Sequence, residues 1–112
     1  MKNTLPLRNN SQFVNVYKNG RSKANKYLII YILENNLPEN RLGISVSKKV
    51  GNSVIRHRIT RIIRECFLSL EGLIPEGYTL VVIARNQAAG KGFSEICGAF
   101  KHLLYKSKLI SK

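Results

Sequence analysis

"RLGISVSKKVGNSVIRHRITRIIREC", residues 41–66, changes its period halfway along. In the first half Leu42, Ile44 and Val46 alternate with Gly43, Ser45 and Ser47. That period of two predicts a half-buried strand over 41–50. Gly51-Asn52 breaks it, and Asn52 or Ser53 is a good cap for a helix running to about Ser69. At roughly 100° per residue, Val54, Ile55, Ile59, Ile62, Ile63 and Cys66 share one broad arc. His57, Arg58, Arg61 and Arg64 share the opposite one, and Arg56 lies at the apolar edge, where its long stem can snorkel outward. The apolar arc explains why the helix packs on a sheet. It does not explain four arginines within nine positions, with Glu65 the one acid between Asn52 and Leu70.

Outward from this stretch, "NNSQFVNVYKNG" (9–20) reads as a short helix capped by Ser11 or Asn10 and ended by Gly20. "KYLIIYILEN" (26–35) reads as a strand, rich in β-branched and aromatic residues. With the short loop 35–40 it forms an expected hairpin with the strand at 41–50. "GLIPEG" (72–77) is a turn, "YTLVVIAR" (78–85) a strand and "NQAAGKG" (86–92) a loop. "FSEICGAFKHLLYKS" (93–107) has Ile96, Phe100, Leu103 and Leu104 at helical spacing, with no capping-box acid expected for it. The order α-β-β-α-β-α gives an α+β fold: a two-layer α/β sandwich with a small mixed sheet. At 112 residues it is a single domain, 1–112, with enough chain for one core.

Nineteen Lys and Arg against six acids give a net charge of +13. A compact chain carrying that excess relieves its self-repulsion on a polyanion, with nucleic acid ahead of an anionic membrane. All the acids are glutamates, Glu34, Glu39, Glu65, Glu71, Glu76 and Glu95. They are too scattered to hold catalytic metal ions, so the reading assigns no catalytic and no metal-binding residue. His57 and His102 lack any spacing that supports acid–base cleavage. Cys66 and Cys97 fit no metal-ligand pattern and are expected as buried free thiols in a reducing cytoplasm. The N-terminus is polar where a secretion signal is apolar, and the apolar run at 27–33 is too short for a bilayer.

A lone basic helix is usually only a solvated face. Here Lys48 and Lys49 precede the helix, its N-terminus carries free N–H groups and the positive dipole end, and arginine's planar fork suits phosphate. Together they make one anion-binding corner. A second surface is expected where Phe13 and Tyr17, one helical turn apart, meet Tyr31. Such rings suit unpaired bases, and Lys18, Arg21, Lys23 and Lys26 are the expected basic rim. Plain core packing explains the rings equally well.

"RLGISVSKKVGNSVIRHRITRIIRECF" resembles the signature of the protein subunit of bacterial ribonuclease P. The resemblance extends to the N-terminal "F...Y" helix, "SKAN" (22–25), "YTLVVIAR" and "HLLYKS". It implies a left-handed βαβ crossover through the arginine helix. It implies an endonuclease that removes the 5′ leader of precursor tRNA, with the active site in a catalytic RNA and Mg²⁺ held mainly by RNA and substrate. In that family the arginine helix and its flanks bind the RNA, here Lys48, Lys49, Asn52, Arg56, His57, Arg58, Arg61 and Arg64. A cleft takes the single-stranded leader, here Phe13, Tyr17 and Tyr31 with Lys18, Arg21 and Lys23. The implied assembly is one protein monomer per RNA, cytoplasmic and without membrane. The family pattern has Arg-Asn-Arg where this chain has Arg56-His57-Arg58, and often lysine where it has Thr60. The contact at 57 is therefore open. A stand-alone RNA-cleaving enzyme and a structural protein of another ribonucleoprotein, such as a ribosomal protein, are the competing readings.

Overall fold

The computed structural model describes residues 4–111 of the chain. Its elements are β1 (Thr4–Pro6), α1 (Asn10–Asn19), β2 (Arg21–Ala24), β3 (Leu28–Glu34), β4 (Asn40–Ser45), α2 (Ser53–Leu70), β5 (Tyr78–Ala84) and α3 (Phe93–Lys106). Single 3-10 turns follow α2 and β5. The α+β architecture, the mixed sheet and the three helices are as expected. β1 and β2 are additional.

The strands form one sheet in the order β1-β4-β5-β3-β2. This corrects the expected hairpin: β3 and β4, consecutive in sequence, never touch. β5 lies between them, antiparallel to β3 and parallel to β4. The physical reason lies in "YTLVVIA", which is apolar at almost every position and buried along nearly its whole length. Such a strand has both faces covered and belongs at the centre of a sheet. The parallel β4–α2–β5 crossover expected from the resemblance is present.

Even-numbered strand residues Leu28, Ile30, Ile32, Leu42, Leu80, Val82 and Ala84 face α2 and α3 and form the main core. Phe67 of α2 and Phe100 of α3 are both fully buried there, ring centroids 6.4 Å apart and nearly parallel. The odd-numbered face carries a smaller cluster. Val81, Leu33 and Tyr31 meet Leu7 and the Phe13 and Val16 side chains of α1. α1 thus lies on the sheet face opposite α2 and α3, a third layer that the two-layer expectation did not include.

Local chemistry sets the helix ends. Asn9, one residue before the expected caps, accepts from the Gln12 N–H, while the Gln12 side chain accepts from the Asn9 N–H, closing a capping box on α1. Asn52 Oδ1 accepts from the Ile55 N–H at 3.0 Å and starts α2. The expectation of no capping acid for α3 is also corrected: Glu95 Oε1 accepts from the Gly92 N–H at 3.1 Å.

Cys66 and Cys97 form a disulfide between α2 and α3, with Cα atoms 5.5 Å apart. This replaces the expected pair of free thiols. A separation of 31 residues carries no signature in the sequence. The two sulfurs meet because α2 and α3 pack side by side on one face of the sheet. Among the described residues no helix is long and apolar enough to cross a membrane.

Candidate nucleic-acid interface

The arginine helix keeps the two-faced character expected of it, with differences at its first turn. Ile59, Ile62, Ile63 and Cys66 are buried, as are Phe67 and Leu70. Val54, expected on the apolar arc, is instead 75% exposed. It heads an outward stripe of Val54, His57, Arg61, Arg64 and Leu68. No acidic side chain lies in the first turn. Lys48 and Lys49, both exposed, occupy the turn just before it, which buried Val50 anchors. The dipole end and the two lysines share one corner, and the stripe leads away from it along the helix.

Two of the arginines are more constrained than the helical wheel suggests. Arg58 is half-buried and donates through Nη1 to the Lys91 carbonyl at 2.7 Å, tying α2 to the loop before α3. Arg56 donates through Nε to the Gly51 carbonyl at 3.2 Å, closing over the helix start. Arg61 and Arg64 extend into solvent. None of the four forms an ion pair among the described residues; the pair found is Arg41 with Glu39, 3.0 Å apart.

Sequence reading passed over Arg85 and Lys91, the latter tied to α2 through its carbonyl and Arg58. The Nζ atoms of Lys91 and Lys26 each lie 5.8 Å from the Tyr27 ring centroid, within cation–π reach. Arg85 donates to the Asn25 carbonyl at 2.8 Å. Their signal was present in "ARNQAAGKG", a basic loop next to a strand end, but no periodicity marks it.

The aromatic groove forms on the odd face. Tyr17 stands edge-on to Tyr31 with centroids 5.0 Å apart, and Phe13 is 6.4 Å from Tyr17. The cross-strand register extends the floor beyond α1: Ser22, Tyr31, Val81 and Gly43 form one row, and Ala24, Ile29, Ile83 and Ser45 the next. Tyr17 is 38% exposed and stands at the boundary between covered and open floor. Gly43 is required here by space. A Cβ on it would fall 2.7 Å from two carbons of the Phe13 ring. Burial pushes the Tyr17 hydroxyl above the ordinary phenol pKa; its hydrogen bond with the Ser45 side chain pulls it partly back, and neighbouring Tyr31 adds to the rise. Tyr17 therefore stays protonated and neutral across the physiological range, as an apolar stacking surface requires.

The basic rim needs correction. Arg21 pairs with Ile32 and Lys23 with Ile30, so both share the even, α3-facing side of the sheet. Arg21 donates through Nη1 to the Ser107 carbonyl at 2.9 Å, at the C-terminal end of α3. This exposed edge strand gave no alternation to read, so the side its residues face was not visible. Lys18 is exposed and follows Tyr17 on α1.

The family model for Ribonuclease P matches residues 1–108. The ribonuclease P protein component of Lachnoclostridium phytofermentans is 54% identical over 105 residues, covering 94% of this chain and 90% of the relative. That of Alkaliphilus metalliredigens is 48% identical over 111 residues, covering 99% and 100%. Among solved structures, the RNase P protein of Staphylococcus aureus superposes with a TM-score of 0.88 at 36% identity, covering 95% of this chain and 97% of that one. The protein from Thermotoga maritima gives 0.83 at 30% identity, covering 90% and 96%.

Proposed function

The chain belongs to the ribonuclease P protein family and is a protein component of that endoribonuclease, and we propose that its two surfaces divide the work between catalytic RNA and substrate. The corner made by Lys48, Lys49 and the α2 N-terminus, with the stripe of His57, Arg61 and Arg64 leading from it, binds the catalytic RNA through phosphates. The groove of Phe13, Tyr17 and Tyr31 holds the unpaired 5′ leader of precursor tRNA, its bases against the rings and the Ile29–Ile83 floor. One observation carries this reading: a partly exposed aromatic pair opens onto bare sheet, on the face opposite the helix that bears the phosphate-binding arginines.

Among the described residues no three His, Cys, Asp or Glu side chains gather to hold a metal ion. In this proposal the ion belongs to the RNA and substrate, and hydrolysis uses no side chain of this chain. The protein contributes binding and orientation, which lower the entropy cost of bringing leader and active site together. It acts as a monomer, one copy per RNA, in the cytoplasm. His57 takes the place of the family's asparagine and offers a ring N–H to a phosphate or base edge.

The test is addition of the purified protein to a bacterial ribonuclease P RNA and precursor tRNA at low Mg²⁺. Cleavage should be stimulated, and absence of stimulation refutes the proposal. Replacing both Arg61 and Arg64 by alanine should reduce the slope of log affinity against log salt by roughly 2, close to one unit per phosphate contact. A slope equal to that of the unaltered protein would remove these residues from the interface. Tyr17→Ala should weaken binding of leader-bearing substrate by ~1–3 kcal/mol, the scale of one stacked base, and leave mature tRNA untouched. Equal losses on both would show that the groove does not read the leader.

A further inference from the structure

The outward face of α3 has no part in the two surfaces above. Gly98, Lys101, His102 and Tyr105 recur at helical spacing and share that face. With Ile110 and Ser111 they line a hollow of about 530 Å³. A second hollow of about 580 Å³ shares Tyr105, Ile110 and Ser111 and adds Lys106 and Lys108. Tyr105, 46% exposed, lines both. The chain turns back after α3 because Lys108 adopts a left-handed φ of 63° and the Leu109 N–H donates to the Leu104 carbonyl at 3.0 Å.

Two independent features give this face a direction. The face carries Lys101, Lys106, Lys108 and His102, and the one acid of α3, Glu95 in its first turn, is held by the Gly92 N–H. The second feature is Gly98. Glycine inside a helix is destabilising relative to alanine. Here neither packing nor backbone calls for it: a Cβ would meet nothing within 4 Å, and its φ is not left-handed. Its one effect is to leave the helix backbone bare in the hollow, open to close approach from outside.

We infer that this face is a further RNA-binding surface, which takes an unpaired stretch of the same RNA that α2 binds. A base stacks on Tyr105, the strand passes over Gly98, and Lys101, His102 and Lys106 meet its phosphates. The excess of positive charge from Gly98 onward selects a polyanion over a protein partner. Position selects the catalytic RNA over the substrate: α3 packs beside α2, on the opposite sheet face from the aromatic groove. The inference rests on the RNA-binding reading of α2.

The experiment uses the full chain and ribonuclease P RNA. Tyr105→Ala and Gly98→Leu should each weaken assembly about ten-fold, the scale of one stacked base. Gly98→Leu should at the same time raise the thermal midpoint of the free protein, since leucine favours helix and enters open space. A photo-crosslinker at position 105 should join the catalytic RNA. Unchanged assembly with both variants, while Arg61→Ala still weakens it, overturns this inference and leaves the α2 reading intact. If Arg61→Ala is also without effect, the α2 reading falls and this one with it. Crosslinks to precursor tRNA alone overturn the choice of partner.

Discussion

Phe67→Ala is expected to destabilise the protein by about 3–5 kcal/mol, the cost of removing a large ring from a core that cannot collapse around the gap. Phe67 is wholly buried and lies against Phe100, also wholly buried, at the seam where α2 meets α3. Neither helix has another aromatic ring at that level to fill the space. The loss is a large share of the stability of a domain this size. Urea unfolding followed by circular dichroism measures it directly. A cost below ~1 kcal/mol would mean that the seam does not hold the helices together. Because α2 carries the arginines, RNA affinity should fall at temperatures where the variant partly unfolds and recover on cooling.

The second large effect is expected at the same seam. Opening the Cys66–Cys97 bond releases a loop of 31 residues. The loop-closure relation puts the loss at about 3–4 kcal/mol. Double substitution to alanine, or a reductant, should lower the urea midpoint accordingly, and a midpoint insensitive to reductant would refute the prediction. In a reducing compartment the pair works as two thiols at a helix contact. There the phenylalanine pair and the surrounding aliphatic residues hold α2 in place. Assembly with RNA should therefore survive reduction at temperatures well below the midpoint.

The parts of the structure that were legible in sequence are those set by local chemistry. α2 was readable to within one residue at its end, since Asn52 is a strong cap and the apolar residues from Ile55 to Leu70 keep one helical face. Tyr17 and Tyr31 met as expected because α1 has one apolar side to offer and the odd sheet face has one cluster to receive it. What failed was long-range. The loop at 35–40 is short enough for a hairpin, and nothing local says that residues 78–84 will come between its two strands. The evenly apolar "YTLVVIA" was the available warning. Arg21 and Lys23 were expected on the rim of the groove, and "RSKA" has no hydrophobic alternation to show that they share the side of Ile30 and Ile32. Arg58 was placed on the open arc correctly as an angle, but its long side chain reaches the Lys91 carbonyl, which only tertiary structure supplies.

The central position of β5 has a consequence for synthesis on the ribosome. β1, β3 and β4 are all made before it, yet β3 and β4 have no bond to each other, and the sheet is divided until Tyr78–Ala84 arrives. A nascent chain ending at residue 70 holds the whole arginine helix but only disconnected strand pairs for it to rest on. Contacts of such long sequence separation slow folding and leave strand edges exposed meanwhile. The polycationic helix is thus completed early in translation and seated late, during which its charge is free to meet whatever RNA is nearest.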